Sequence, residues 1–156
     1  MTSAYPHVTV MSSDTPDSLA HIRIRRRIEW MDTDAAGIYH WSTVIRLAEA
    51  AEAQLHTALG IAAATFGATP RVSAGFDFRR PLRFNDEVIV DLAVEAVGRS
   101  SVRYRLILSD GEDRTVAEGQ VTTCFIDPST GRATPWPDAL RSALAGGGDR
   151  SAGDPS

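Results

Sequence analysis

The run Asp32-Thr33-Asp34-Ala35-Ala36-Gly37-Ile38-Tyr39-His40-Trp41 puts carboxylates on a tight turn between an alternating, strand-like segment and an Ala-rich, helix-like one. The first N–H groups of a helix lack intrahelical partners and carry partial positive charge. A carboxylate beside such a terminus is the minimum equipment for attacking, or adding water to, an activated carbonyl, because charge building on the carbonyl oxygen meets waiting donors. Asp also serves turns simply by bonding its own backbone, and of the two Asp32 is read as the structural one. The Asp-x-Asp-x-x-Gly spacing can open a calcium loop as well. Here the fifth position is Ala36 and the twelfth is Thr43 in place of Glu, which excludes an ordinary EF-hand.

Other groups that could do chemistry are fewer. Glu49 and Glu52 lie further along the helical segment as reserve carboxylates, with Glu49 read as orienting a loop or pairing with an arginine. Cys124 is the single cysteine, so no intrachain disulfide can form; its place in an alternating strand reads as a core thiol. His7, His21, His40 and His56 show no metal-ligand spacing, and no metal is called for. Arg25, Arg26 and Arg27 alternate faces of a strand, which reads as a solvated face and not a nucleic-acid patch. Arg26 falls on the otherwise apolar face and is expected to meet a partner subunit or a ligand.

The elements that must position these groups follow from periodicity. From 21 to 30 the even positions Ile22, Ile24, Ile28 and Trp30 are apolar and the odd ones polar, a strand with one solvated face. Ser42 or Thr43 is the expected N-cap of a helix carrying Val44, Ile45, Leu47, Ala48, Ala51, Leu55, Ala58 and Leu59, stopped by Gly60. At about 17 residues it is long for so small a domain and implies a central helix. After Pro70 the chain reads as strands: Val72 to Phe78 by twos, then Val88 to Ala96, then Val102 to Leu108 ending at Asp110-Gly111, then 115–126. A short helix is expected over 137–145. Strand, long helix and four strands make an α+β layer architecture, an antiparallel sheet wrapped around one helix. The second face of that sheet is expected to be apolar enough to pack on another copy.

The 156 residues suit one domain, and 43% hydrophobic with 23% charged residues is ordinary for a globular protein. A net charge of −4 argues against general nucleic-acid binding. All 16 cations are Arg. No apolar run approaches the ~20 residues of a bilayer span, and the N-terminus lacks a basic-then-apolar signal pattern, so a cytoplasmic location is expected. The expected division is a flexible tail over 1–20, one domain over 21–141 and a second flexible tail over 142–156.

Taken in order, these blocks resemble the hotdog-fold thioesterases, in particular the 4-hydroxybenzoyl-CoA thioesterase type and its short acyl-CoA relatives. The likeness runs from about 23 to 140. It rests on Ile28-Glu29-Trp30-Met31-Asp32-Thr33-Asp34-Ala35-Ala36-Gly37, on Glu49, on Phe76-Asp77-Phe78-Arg79-Arg80-Pro81-Leu82-Arg83-Phe84-Asn85-Asp86 and on Cys124-Phe125-Ile126-Asp127-Pro128. The resemblance implies hydrolysis of an acyl thioester of coenzyme A or of an acyl-carrier protein. Asp34 would be nucleophile or general base, and the Trp41 backbone N–H would polarise the carbonyl. Gly37 and His40 would lie against the substrate, although the family's Tyr-His pair sits one residue later than Tyr39-His40, which gives Trp41 the shaping of the acyl pocket. Arg99, Ser101 and Arg132 fall where relatives hold coenzyme A, while another arginine position of the family falls on Gly98. The resemblance further implies a homodimer, paired into a homotetramer, with sites between subunits, no cofactor beyond the coenzyme A of the substrate, no nucleic acid and no membrane. Three alternatives stand beside it: a release enzyme acting on a carrier-bound polyketide or fatty acyl chain, a hotdog dehydratase or hydratase, and a non-catalytic acyl-binding module. The dehydratase chemistry wants a His-Asp pair that is not identifiable here.

Overall fold

The computed structural model describes residues 19–151. The alternating segments become β1 (His21–Arg27), β2 (Arg71–Phe78), β3 (Glu87–Val97), β4 (Ser101–Asp110) and β5 (Thr115–Cys124). They form one antiparallel sheet of five strands in the order β1-β3-β4-β5-β2. A small hairpin of β6 (Ile126–Asp127) and β7 (Arg132–Ala133) follows. The helices are α1 (Trp41–Ala58), α2 (Ala62–Thr65) and α3 (Asp138–Gly146), and the α+β architecture read from the sequence is the one adopted.

Packing follows the periods. Val44, Leu47, Ala48, Ala51 and Leu55 recur at helical spacing and are buried, laying α1 (18 residues) across the sheet against β1 and β3. Ala48 and Ala51 keep that contact close. Opposite them, cross-strand neighbours Val90 and Leu108, Leu92 and Leu106, and Val94 and Tyr104 are buried on one face. Each such side chain contributes about 1.5–3 kcal/mol when fully removed from water. Where β2 meets β5, a Cβ at Gly119 would stand 2.1 Å from the Gly75 carbonyl oxygen and 2.6 Å from the Phe76 ring. Only glycine lets β2 lie there, and the Phe76 ring covers the gap.

Four expectations are corrected. The first strand ends at Arg27, not at 30, because the Ile28 N–H leaves the sheet to bond the Asp86 carbonyl; Trp30 then sits in a 3₁₀ turn, 77% exposed. The last long strand ends at Cys124, where the Phe125 N–H turns to the Ser100 carbonyl. The outer face of the sheet is not apolar. Arg23 pairs with Asp91 directly opposite it, Arg25 with Glu87 two positions along, Arg103 with Glu95 and Arg79 with Glu118, so this face carries neighbouring charges of opposite sign. The expected C-terminal tail begins inside α3. Residues 147–151 then run along the free edge of β1, where the His21 N–H bonds the Gly148 carbonyl, the Arg150 N–H bonds the His21 carbonyl, and the Arg23 N–H bonds Ser151 Oγ. An edge strand offers unpaired backbone groups, and this segment satisfies several of them. The remainder of both expected tails, 1–18 and 152–156, lies outside the described residues. No helix among the described residues is long and apolar enough to cross a membrane.

Candidate active site

Asp34 opens a tight turn closed by its own backbone. Its N–H bonds the Ile38 carbonyl at 2.9 Å, the Gly37 N–H bonds its carbonyl at 3.0 Å, and Thr33 pairs with Tyr39 across the neck. Gly37 takes φ +76°, which a side chain would strain, and its open face lies 3.8 Å (as a built Cβ) from an Arg83 guanidinium nitrogen. The Asp34 carboxylate accepts the Ala36 N–H through Oδ1 at 2.8 Å; among the described residues nothing bonds Oδ2. Asp34 therefore serves its turn and keeps an oxygen available, and the side chain is half-exposed.

Asp32 is in a different position. It is buried, its oxygens accept Arg46 Nε at 2.9 Å and Nη2 at 2.5 Å, and Oδ2 also takes the Glu29 N–H. Its carbonyl takes the His40 N–H at 2.7 Å and the Thr43 hydroxyl at 3.1 Å. Those two bonds, with the Tyr39 N–H on the Leu82 carbonyl, hold the chain extended until His40. The N-cap is consequently His40 (ψ 146°), not Ser42 or Thr43, and its side chain makes no capping bond. Trp41 is the first residue of α1, so its N–H has no intrahelical acceptor and points out of an open helix terminus. Its indole is 67% exposed. Asp34, Gly37, His40 and Trp41 thus share one corner of the molecule.

Arg99, Ser101 and Arg132 do not join them within the protomer. Asp34 belongs to the sheet end where β1 and β2 finish and β3 begins. The other three belong to the end where β4 begins, next to Arg71 at the start of β2. There the Ser100 carbonyl takes the Phe125 N–H and the Arg99 carbonyl takes the Trp136 N–H, clasping the β3–β4 hairpin to the segment that carries Arg132. A Cβ at Gly98 would stand 2.6 Å from Ser101 Oγ, so the serine hydroxyl occupies the space an arginine stem would need. At about 3.3 Å per residue the two ends are roughly 25–30 Å apart.

Glu49 lies between them, exposed at the middle of α1, on the rim of a cavity of about 860 Å³. Glu52 and His56, one and two turns on, face the same cavity with Thr65 and Arg71. Arg71 Nη2 bonds Glu52 at 2.5 Å while its Nε lies 3.6 Å from Glu49. Burial pushes the Glu52 carboxyl above its usual range, with Arg71 pulling the other way and Glu49 adding to the rise. His56 is buried between Thr65 Oγ1 and the Tyr104 hydroxyl, each at 2.8 Å. Because Thr65 donates its own hydroxyl to the Ile61 carbonyl, it accepts from His56 Nδ1–H, and Tyr104 donates to Nε2. Burial first, and the Arg71 charge second, lower the imidazole to about 4, so it is neutral.

Arg71 and the His56 network are the functional-looking groups that sequence reading missed. The available signal was the spacing of Glu49, Glu52 and His56, which puts all three on one stripe of a helix. Arg26, expected at a partner or ligand, is half-buried and donates to the Arg25 carbonyl. Cys124 is half-buried with its thiol on the neighbouring Phe125 carbonyl.

Comparison with known proteins gives the family. A family described as thioesterase-like superfamily matches residues 28–144. A 1,4-dihydroxy-2-naphthoyl-CoA hydrolase of Rippkaea orientalis is 30% identical over 123 residues, covering 74% of this chain and 88% of the relative. The enzyme of that description from Synechococcus elongatus is 28% identical over 132 residues, covering 81% and 96%. Among solved structures, a thioesterase from Thermus thermophilus complexed with coenzyme A and zinc superposes with TM-score 0.71 at 23% identity, covering 79% of this chain and 96% of that one. A 1,4-dihydroxy-2-naphthoyl-CoA thioesterase from Synechocystis gives TM-score 0.69 at 21% identity, covering 80% and 95%.

Proposed function

The chain belongs to the thioesterase-like superfamily and is a thioester hydrolase, and from that premise we propose that it cleaves aromatic acyl-CoA thioesters at Asp34 in a site completed by a second copy. The observation that carries the reading is the free Oδ2 of Asp34 beside the uncapped start of α1. The thioester carbonyl oxygen takes the Trp41 N–H, whose partial positive charge opposes the developing oxyanion. Asp34 then either adds to the carbonyl carbon, giving an anhydride that water opens, or removes a proton from the attacking water. Either way water and thioester become a carboxylic acid and coenzyme A. Gly37 leaves room for substrate over the turn, and His40 flanks it.

A homodimer resolves the separation of the two ends. β2 is an edge strand, and its residues are exposed except half-buried Phe76. Antiparallel pairing of β2 with its own copy sets the partner's Arg71 beside this protomer's Phe78, whose ring lies 6.4 Å from that of Tyr39 in the Asp34 turn. The partner's Arg99, Ser101 and Arg132 then approach this protomer's Asp34 and can hold the coenzyme A phosphates. The aromatic acyl group is proposed from the substrates named for the cyanobacterial relatives.

The test is thiol release from aromatic and aliphatic acyl-CoA esters by wild type and Asp34→Asn. Aromatic esters are expected to turn over, and the variant to lose at least about a thousandfold in kcat while keeping its melting temperature. Single turnover in H₂¹⁸O tests the anhydride route, since label on Asp34 arises only when water opens an anhydride at the Asp34 carboxyl carbon. Turnover undiminished in Asp34→Asn would sink the assignment.

A further inference from the structure

The sheet has two outer edges, and the chain treats them oppositely. β2 is paired on one side only, and its residues are exposed except half-buried Phe76. β1 is covered. After α3 the chain turns back through two glycines: Gly148 takes φ +60°, and a Cβ at Gly147 would stand 2.5 Å from Leu59 Cδ2 and 2.8 Å from Ala20 Cβ. Residues 147–151 then lie along β1. The His21 N–H bonds the Gly148 carbonyl at 2.9 Å, the Arg150 N–H bonds the His21 carbonyl at 2.8 Å, and the Arg23 N–H bonds Ser151 Oγ at 2.7 Å. Side chains fasten the same stretch. His21 Nε2 lies 3.3 Å from Asp149 Oδ1, which also takes the Ser151 N–H. The segment forms only an isolated bridge with β1, His21 with Asp149, and its last bond comes from a serine hydroxyl. It therefore covers the edge without becoming a sixth strand that offers a new one.

Backbone groups of successive strand residues turn to opposite sides. The segment's bonds fall on His21 and Arg23, so Arg25 also turns outward. There Arg26 Nη1 donates to the Arg25 carbonyl at 2.7 Å. His21 is thus closed at both its groups, Arg23 at its N–H and Arg25 at its carbonyl. Charge alone would not keep another strand away, because Arg23 and Arg25 are already neutralised by Asp91 and Glu87 of β3. Pairing at an open β1 would have no natural end. With β2 bare, β1 of one copy meets β2 of the next, head to tail, and the series does not close. With β2 joined to its own copy, β1 is the outer edge at both ends of the pair, and β1 against β1 links pairs into a chain. We infer that residues 147–151, together with the Arg26 guanidinium, are an edge guard that denies β1 to other copies of this chain and confines strand pairing to β2. The guard goes beyond the thioesterase reading and does not depend on it, since it acts on assembly and not on turnover.

Two variants open the edge. One is the chain ended after Gly146, which removes the segment. The other is Arg150→Pro, which deletes only the N–H that bonds His21 and fixes φ at that point. Arg150→Ala loses the same side chain but keeps that N–H, and is the control. Light scattering over a concentration series reads the mass, and circular dichroism reads the fold. Wild type and Arg150→Ala are expected to reach a plateau mass. The shortened chain is expected to keep the wild-type spectrum and grow with concentration to at least about tenfold the wild-type mass. Adding Arg25→Pro removes an outward N–H that a neighbouring strand needs, a change an edge strand tolerates, and is expected to restore the plateau. Where the shortened chain loses its spectrum, Arg150→Pro decides in its place. An opened protein that keeps both the spectrum and the wild-type mass at every concentration overturns the inference. Growth that Arg25→Pro leaves untouched also overturns it, because the contact then lies on another surface. Loss of the spectrum in both variants makes the segment part of the fold instead of a guard, and a wild type that itself grows without a plateau shows the edge unguarded; either result overturns the inference.

Discussion

One residue separates Asp32 from Asp34, yet one carboxylate is 3% exposed with both oxygens bonded and the other is half-exposed with an oxygen unbonded. The difference is tertiary. Arg46 reaches back from the second turn of α1 to Asp32, and the Asp32 carbonyl fixes where that helix starts. Asp32→Asn keeps the shape but gives up the ion pair from the buried side, while Arg46, 42% exposed, can turn to water. The expected cost is about 2 kcal/mol of stability, read as an earlier denaturant midpoint with an unchanged m-value. An Asp32→Asn protein as stable as wild type would remove the structural role. Assigning duties within the Asp-x-Asp spacing was legible only in part. Asp32 as the turn's structural residue agrees with its burial, but the arginine that makes it so lies fourteen positions away on another element. The N-cap was misread for a related reason. Ser42 and Thr43 are good caps by residue type, and the bonds to Asp32 and Leu82 that keep the chain extended up to His40 are not local.

Period-2 and period-3.6 patterns made β3, β4 and α1 legible, because one face of each is buried and burial writes itself into residue type. Element ends were less so: β1 stops where Asp86 captures the Ile28 N–H, an event set by a loop some sixty residues on. Least legible is the link that runs between elements, His56 of α1 held by Thr65 of α2 and Tyr104 of β4. It has a measurable consequence. An ordinary histidine takes its proton near pH 6.5, whereas folded His56 does so only at about 4. As pH falls through that window the unfolded chain binds a proton that the folded chain refuses, so stability falls. At about 1.4 kcal/mol per pH unit the full loss is about 3 kcal/mol. Glu52, raised by burial, works in the opposite sense: its share of stability is lost as pH rises above the ordinary carboxylate range. His56→Gln can still accept from Tyr104 and donate to Thr65 but does not titrate. Guanidinium denaturation at pH 7, 6 and 5 is expected to show the wild type losing stability on acidification and the variant losing markedly less. Parallel losses in the two proteins would mean that His56 is not the group responsible.

At the scale of the whole molecule, the sheet sets Asp34 at one end and Arg99 and Arg132 at the other, so the proposed site needs an operation that reverses a strand. Sequence patterning named most of these residues, but their separation depends on strand order, which residue types do not encode. The proposed pairing is built on β2. Val72, Ala74, Phe76 and Phe78 lie on the core-facing side, since Ala74 stands opposite Val121 and Phe78 opposite Ala117, both buried. Yet Val72 is 61% exposed and Phe78 48%. An apolar, unpaired edge of this length invites pairing with another strand. Ala74 is near the middle of β2, so across a two-fold axis it lies within a cross-strand spacing of its own copy, about 4.5–8 Å. Ala74→Asp sets two carboxylates against each other there, and Ala74→Arg two cations. Each variant alone is expected to sediment as a monomer, keep its circular dichroism, and lose about a hundredfold or more in turnover although Asp34 is untouched. Mixed in equal amounts, the two place opposite charges at the contact, and dimer and turnover should return together. A fully active monomer would show the site complete in one chain. A dimer undisturbed by either charge would move the interface to another surface, and the partner's arginines would then have no path to Asp34.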